Sequence, residues 1–195
     1  MIYDALIVGG GPAGLSAALT LGRARKRVLL CDAGPRRNQA ATHIHNFVTR
    51  DGTPPEDFRA VARAQLARYP NVTLHDAGVT ALEGTRGDFR VTLGAETVTA
   101  RRVVLCTGMI DAPPPIEGLR ALWGRSVFQC PYCHGWESQD RPWGYLVQPA
   151  TAAHVVPFVL QTLGWTQTVT VFTHGAATLP AEVIAARVSS AMSPL

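Results

Sequence analysis

Charge is scarce in this chain of 195 residues, and lysine is almost missing. Charged residues make up 16% of the sequence, and only Lys26 among the 18 basic residues is not arginine. The arginines are spread along the chain and form no cluster on one predicted face, so we expect no nucleic-acid partner. Hydrophobic residues make up 47% of the sequence. At this length the chain can form one large domain, or one small domain and part of a second, with a hydrophobic core.

The chain also lacks an apolar run of the kind that crosses a membrane. Residues 5–22 carry no charge, but glycines and a proline interrupt the middle of this run. It is preceded by Asp4 rather than by a basic segment, so we expect neither a membrane span nor a signal peptide. Four cysteines without a sign of export predict a reducing, cytoplasmic location, where a cysteine pair is more often catalytic than structural.

Two of the four cysteines form the motif most directly tied to chemistry. Residues 130–135 read Cys-Pro-Tyr-Cys-His-Gly, and two thiols at the spacing of Cys130 and Cys133 can close into a disulfide and reopen. A zinc site would need a second pair of ligands, and Cys-x-x-Cys-His is also the attachment signal for c-type haem. Cys31 and Cys106 stand singly at the ends of apolar runs. We therefore predict dithiol redox chemistry and no metal site, with a structural pair as the plain alternative.

A glycine-rich segment near the N-terminus is typical of a dinucleotide-binding turn. A short apolar run leads into residues 9–14, and a helical pattern of alanine and leucine follows. Gly9 would permit a tight turn, Gly11 a close backbone approach to a pyrophosphate, and Gly14 close packing of helix on strand. A second apolar run ends in Asp32, where the ribose hydroxyls of an adenine dinucleotide would be held. A glycine-rich surface turn is the alternative.

Between the two motifs, the periodicity predicts one helix and several strands. Residues 53–56 have the pattern of a capping box with proline at the first helical position. The helical spacing after it leaves Arg59, Arg63 and Arg68 on the solvated side, as surface rather than as a site. A buried strand is predicted at 103–106. Four further strands, expected to form a β-meander, are predicted at 72–75, 79–82, 89–93 and 97–100.

Taken in order, these features resemble the low-molecular-weight thioredoxin reductase family of flavoproteins over residues 1 to about 145. The resemblance implies an α/β protein with a Rossmann-like, three-layer FAD-binding domain that carries a β-meander, and a partial second dinucleotide-binding-like domain. We place the boundary in the proline-rich segment 113–115. Residues 1–115 would then be the first segment of the FAD-binding domain, and residues 116–195 a partial pyridine-nucleotide-type domain with the cysteine pair.

The resemblance also implies roles for individual residues. In the family, Cys133 would face the flavin and Cys130 would exchange with substrate. The family usually has an acid after the second cysteine, whereas His134 stands here, as in the branch of small-molecule dithiol oxidases that return electrons to oxygen. His134 would carry the proton, because an imidazole titrates near neutral pH. The cofactor-binding residues would be Gly9, Gly11, Pro12, Ala13, Gly14, Asp32, Asn46, Thr107 and Gly108.

The second half of the chain departs from a dinucleotide-binding pattern. Gln148, Ala150 and Ala153 occupy the three glycine positions of its expected turn. Side chains at the first two should obstruct a pyrophosphate. No arginine follows the next strand until Arg187, so a clamp for a 2′-phosphate is also missing. We therefore expect NAD(P)H to be a doubtful cofactor, and a small dithiol or a thioredoxin-like protein to be the partner.

The sequence ends at Leu195 without the segment that completes the FAD-binding fold in the resembling family. We therefore expect a C-terminally shortened member, a gene fragment, or a reduced form that borrows from a partner chain, such as a homodimer. Three functions follow from these patterns. They are an FAD-dependent oxidase of small dithiols with oxygen as acceptor, an NAD(P)H-dependent disulfide reductase of the thioredoxin type, and a non-catalytic remnant.

Overall fold

The structure is a computed structural model that describes residues 2–173, without the side chains of residues 149–151. The chain divides into two compact units, Met1–Val127 and Phe128–Leu195, and each is described by itself. The functional division into residues 1–115 and 116–195 stays a prediction. Residues 174–195, in which Arg187 is the first arginine, lie outside the described residues, and so does everything else that the sequence predicts for them.

A four-stranded parallel sheet forms the centre of the first unit. Its order is β4-β3-β2-β8, with β2 at Ala5–Val8, β3 at Val28–Cys31, β4 at Val72–His75 and β8 at Val103–Leu105. All neighbouring pairs are parallel. Every residue of β3 is buried, as expected for a central parallel strand that is covered on both faces.

Two helices cover one face of this sheet. Helix α1 spans Pro12–Arg23 and helix α2 spans Pro55–Leu66. Inward-pointing residues of β2 and β3 pack against them in one buried cluster formed by Ile7, Leu15, Ala18, Val28, Leu30 and Leu66. Successive residues of a strand point to opposite faces of the sheet, so the alternate residues of β2 and β3 pack on the face away from the helices.

A second sheet, with the strand order β1-β7-β6-β5, covers that other face. It consists of β1 at Ile2–Tyr3, β5 at Ala81–Thr85, β6 at Asp88–Leu93 and β7 at Glu96–Ala100. The last three form an antiparallel meander, and the buried cluster between the sheets is Leu6, Leu29, Cys31, Val91, Leu93 and Ala100. The α/β prediction of a three-layer, Rossmann-like fold with a β-meander is confirmed.

Two local predictions are wrong. The strand at Val72–His75 belongs to the parallel sheet rather than to the meander, because it pairs with Val28–Cys31, a long-range partner that local periodicity cannot reveal. The capping box does not form either. Pro54 is the N-cap of α2 and offers no side-chain hydrogen bond, while the carbonyl of Thr53 accepts a hydrogen bond from the Ile44 amide at 2.8 Å.

The second unit contains a small parallel β-α-β arrangement. Strands β9, Trp143–Leu146, and β10, Val169–Phe172, pair in parallel. They are connected by a 3₁₀ helix at Pro149–His154 and helix α5 at Val155–Thr162. Two one-turn helices complete the described elements, α3 at Leu119–Leu122 in the first unit and α4 at Pro131–His134 in the second. Among the described residues, no helix is both long and apolar enough to cross a bilayer.

Candidate functional site

In the glycine turn between β2 and α1, neighbouring backbone atoms lie too close to Gly9 and Gly14 for either position to carry a side chain. Gly9 has φ +106°, and a Cβ atom there would lie 2.2 Å from the carbonyl oxygen of Cys106, at the end of β8. A Cβ atom on Gly14 would lie 1.9 Å from the carbonyl oxygen of Gly9. The turn is therefore closed by backbone contacts with β8 on one side and with its own helix on the other.

Gly11 has a different environment from its neighbours. Its backbone is extended, it is the N-cap of α1, and Pro12 stands at the start of the helix. No atom lies within 4 Å of the position that its Cβ would take. Because the first amides of a helix, here at Ala13 and Gly14, lack acceptors in their own helix, this open space beside a helix N-terminus fits a pyrophosphate.

Asp32 follows β3 directly and packs against the same turn. Its side chain is 8% exposed, and its Oδ1 accepts a hydrogen bond from the Gly34 amide at 3.1 Å. A Cβ atom on Gly10 would lie 2.5 Å from Asp32 Oδ2. Gly10 is therefore required for the carboxylate to occupy its position, a role that the spacing of the other glycines does not indicate.

Arg59 of α2 completes this arrangement, which corrects its predicted assignment to the solvated surface. Its side chain is 14% exposed, and Nη2 lies 2.7 Å from Asp32 Oδ2, in an ion pair without an aligned hydrogen bond to that oxygen. Nη1 donates a hydrogen bond to the Gly10 carbonyl at 3.2 Å. Burial raises the pKa of Asp32, but the Gly34 amide and the Arg59 guanidinium more than offset it, so the pKa lies below its usual value.

A charged cleft of about 530 Å³ opens at the carboxyl ends of β3 and β4. Asp32 and Asp76 follow these two strands, and Arg63, one helical turn after Arg59, lies 2.9 Å from both carboxylate oxygens of Asp76. Ligands of open parallel sheets bind in this position. The cleft is lined by Asp32, Ala33, Gly34, Glu56, Arg59, Ala60, Arg63 and Asp76.

The remaining predicted cofactor residues lie in two loops of the first unit. Thr107 and Gly108 follow β8, and the Thr107 amide nitrogen would lie 3.3 Å from a Cβ on Gly9, so the structure brings this segment to the turn. Asn46 has φ +62°, and its backbone N–H donates a hydrogen bond to Asp51 Oδ1 at 2.9 Å. The role of Asn46 beside a flavin stays a prediction.

The cysteine pair lies at the one-turn helix α4 in the second unit. Cys130 is its N-cap, and the Cys133 amide donates a hydrogen bond to the Cys130 carbonyl at 3.3 Å. Both cysteines are partly buried. His134 ends the helix, and its ring stacks on Phe128 with 4.1 Å between centroids and 13° between planes. Among the described residues, no group of three or more histidine, cysteine or acidic side chains is arranged to hold a metal ion.

The aromatic side chains of Tyr132 and Trp165 pack against the turn that carries the two cysteines. The ring of Tyr132, between the two cysteines, meets Trp165 edge-on at 5.2 Å, and its hydroxyl accepts a hydrogen bond from Gln161 at 2.7 Å. Gly135 is buried, and a Cβ atom there would lie 2.4 Å from the Pro131 carbonyl oxygen and 3.0 Å from the Trp165 ring. The glycine that ends the motif therefore has a packing function, which the motif alone does not reveal.

The second β-α connection lacks the features of the first. After β9 the chain passes through buried Val147 and exposed Gln148 into the 3₁₀ helix. The α-helix begins only at Val155. The N-terminus of an α-helix therefore does not follow the strand at once, as it does in the first connection and in dinucleotide-binding turns.

Comparisons with known proteins give one consistent result. The family model of pyridine nucleotide-disulphide oxidoreductases matches residues 3–156. Thioredoxin reductase sirT of Leptosphaeria maculans is 41% identical over 142 residues, which are 71% of this chain and 43% of the relative. Thioredoxin reductase aclD of Aspergillus oryzae is 35% identical over 192 residues, 93% of this chain and 60% of the relative.

A solved structure agrees with these sequence relatives. The oxidoreductase from Agrobacterium tumefaciens superposes with a TM-score of 0.88 at 43% identity, covering 95% of this chain and 62% of that one. The chain therefore spans less than two-thirds of the length of each of these relatives.

Proposed function

This chain belongs to the pyridine nucleotide-disulphide oxidoreductase family, and on that premise we propose that it is an FAD-dependent thiol–disulfide oxidoreductase that oxidises small dithiols. The observation that carries the proposal is the contrast between its two β-α connections. The first, with Gly9, Gly11 and Gly14, fits a dinucleotide, whereas the second enters a 3₁₀ helix. One dinucleotide site and one cysteine pair suit an enzyme that needs FAD but receives its electrons from a thiol.

The cysteines carry out the exchange in two displacements. A substrate thiolate attacks the Cys130 sulfur of the Cys130–Cys133 disulfide, and Cys133 leaves as a thiolate. The second thiol of the substrate then attacks the substrate sulfur that is bonded to Cys130, a disulfide forms within the substrate, and Cys130 leaves as a thiolate. The substrate has lost two electrons and two protons and is released as a disulfide.

His134 is the residue that we assign to the protons. An imidazole both accepts and releases a proton near neutral pH, so it can take the proton of the incoming dithiol. The stacking of its ring on Phe128 fixes the ring plane beside α4. FAD, when bound, supplies the two-electron oxidation that closes the disulfide again, with molecular oxygen as the final acceptor and hydrogen peroxide as the product.

A second candidate is an NAD(P)H-dependent reductase of a thioredoxin-like protein. The names of sirT and aclD as thioredoxin reductases favour it, and the geometry after β9 speaks against it. In either case we expect a reducing compartment and place the reaction in the cytoplasm.

Anaerobic mixing of the FAD-loaded chain with each donor separates the candidates. A small dithiol such as dithiothreitol should bleach the flavin absorbance, NADPH should bleach it slowly or not at all, and admission of oxygen should restore it with formation of peroxide. Rapid bleaching by NADPH and none by dithiols would establish the reductase instead. A purified chain that retains no FAD when the cofactor is added would establish the non-catalytic remnant.

A further inference from the structure

We propose that Arg59 is a positioning residue of the dinucleotide site, which holds the Asp32 carboxylate and the glycine turn in one arrangement before the ligand binds. The inference rests on the proposed function, because FAD is the ligand that the arrangement would receive. Arg59 is 49 residues away from Gly10 in sequence, and no dinucleotide-binding pattern in the chain includes it.

The argument begins with the geometry of one guanidinium. Nη2 of Arg59 lies 2.7 Å from Asp32 Oδ2, and Nη1 donates to the Gly10 carbonyl at 3.2 Å. A planar guanidinium keeps its two Nη atoms at a fixed separation, so one can form an ion pair with the carboxylate while the other donates a hydrogen bond to the carbonyl. Arg59 therefore connects the acid that would hold the ribose with the turn that would hold the pyrophosphate.

The second step concerns the charge of Asp32. A buried carboxylate stays ionised only when a cation or hydrogen-bond donors compensate for lost hydration. Around it, the described charged groups are Glu56 and Arg63 of α2 and Asp76 after β4. Glu56 forms an ion pair with Arg36, and Arg63 forms one with Asp76. Arg59 is therefore the cation that contacts Asp32.

Arg63 and Asp76 form a matched control pair in the same cleft. The same helix provides this arginine one turn later, and its partner also follows a parallel strand directly. The pair is more open, with side chains 27% and 70% exposed, and Arg63 makes its described hydrogen bonds to Asp76 rather than to the turn. Arg59→Gln and Arg63→Gln each remove one positive charge from α2. A difference between their effects on FAD binding therefore comes from the place of each arginine and not from the loss of charge.

The first experiment measures FAD affinity of the purified apo chain by quenching of flavin fluorescence. Arg59→Gln should weaken binding about tenfold or more, because a buried charge loses its partner. Arg59→Lys should recover part of the loss, since an ammonium replaces the charge but not the fork. Arg63→Gln should change the dissociation constant by no more than about twofold, as is usual for exposed pairs.

A double-mutant cycle tests whether Arg59 acts through Asp32. In an Asp32→Asn background, Arg59→Gln should cost clearly less affinity than it does in the wild-type background. An equal loss in both backgrounds would mean that Arg59 contacts the ligand by itself, and would overturn the positioning role. Equal effects of Arg59→Gln and Arg63→Gln would overturn it as well.

A measurement without ligand keeps this inference separate from the proposed function. Carbon-13 NMR of the Asp32 carboxyl in the apo chain should show its titration midpoint moving upward in Arg59→Gln and staying in place in Arg63→Gln. If the wild-type chain binds no FAD but this shift occurs, the FAD proposal fails and the arrangement of Arg59 and Asp32 stands. An unmoved midpoint refutes the inference, and should Arg59→Gln fail to fold, the smaller upward shift expected in Arg59→Lys decides it.

Discussion

The two β-α-β segments of this chain share a topology and differ in the residues at the first turn. In the first unit, the turn after β2 is closed by backbone contacts at Gly9 and Gly14 and leads at once into a twelve-residue helix. In the second, Gln148 and a 3₁₀ helix separate β9 from α5. If only the first unit binds a dinucleotide, as we propose, the site is a property of the turn, because both units contain parallel strands with a crossover helix.

The strongest test of this contrast exchanges one methyl group between equivalent positions. Gly14→Ala places a Cβ 1.9 Å from the Gly9 carbonyl oxygen, so the helix must move off the turn. We expect a loss of about 3 kcal/mol or more in unfolding free energy. Ala153→Gly, at the corresponding exposed position in the second unit, should cost only about 0.5–1 kcal/mol. Chemical denaturation of both variants measures the difference, and similar losses would mean that the two turns are structurally equivalent.

The next test separates binding from folding within the first turn. Gly11→Val adds a side chain where no atom lies within 4 Å, on an extended backbone. Stability should therefore change by less than about 1 kcal/mol, while FAD affinity falls more than about tenfold, because the side chain fills the space of the pyrophosphate. Flavin absorbance after gel filtration and a thermal melt of the apo chain provide the two readouts. A folded Gly11→Val protein that stays fully yellow would contradict the assignment.

The sequence predicts the local geometry of the first turn better than its long-range contacts. The close packing at Gly9 and Gly14 and the position of Asp32 directly after β3 follow from requirements that act over adjacent residues, while the roles of these residues towards a dinucleotide stay predictions. Helical periodicity predicts a surface position for Arg59, because it shows which face of the helix is apolar and not which acid contacts an arginine from elsewhere in the fold. Local alternation likewise predicts a strand at Val72–His75 but does not show that its partner is Val28–Cys31.

In the second unit, Gly135 at the end of the redox motif is also a position where a side chain would clash. A Cβ on Gly135 would lie 2.4 Å from the Pro131 carbonyl oxygen and 3.0 Å from the Trp165 ring. Gly135→Ala should therefore cost about 1–3 kcal/mol and slow the reaction of the cysteine pair with a disulfide reagent or a dithiol. Gly164→Ala is the control, because the nearest atom to its Cβ would be 3.8 Å away. Equal stability of the two variants would show that Trp165 does not hold the turn.

The smallest expected effect concerns the pH dependence of the first unit. Burial raises the pKa of Asp32, but the Gly34 amide and Arg59 offset it, and the folded-state pKa lies below that of the unfolded chain. Its contribution to stability is therefore fully present above the unfolded pKa of about 3.9 and is lost as pH falls through the folded value. Unfolding free energy of the wild type should decline more steeply below pH 4 than that of Asp32→Asn, by at most about one proton in slope. Parallel slopes for the wild type and Asp32→Asn would mean that the ion pair with Arg59 does not hold Asp32 in its charged form.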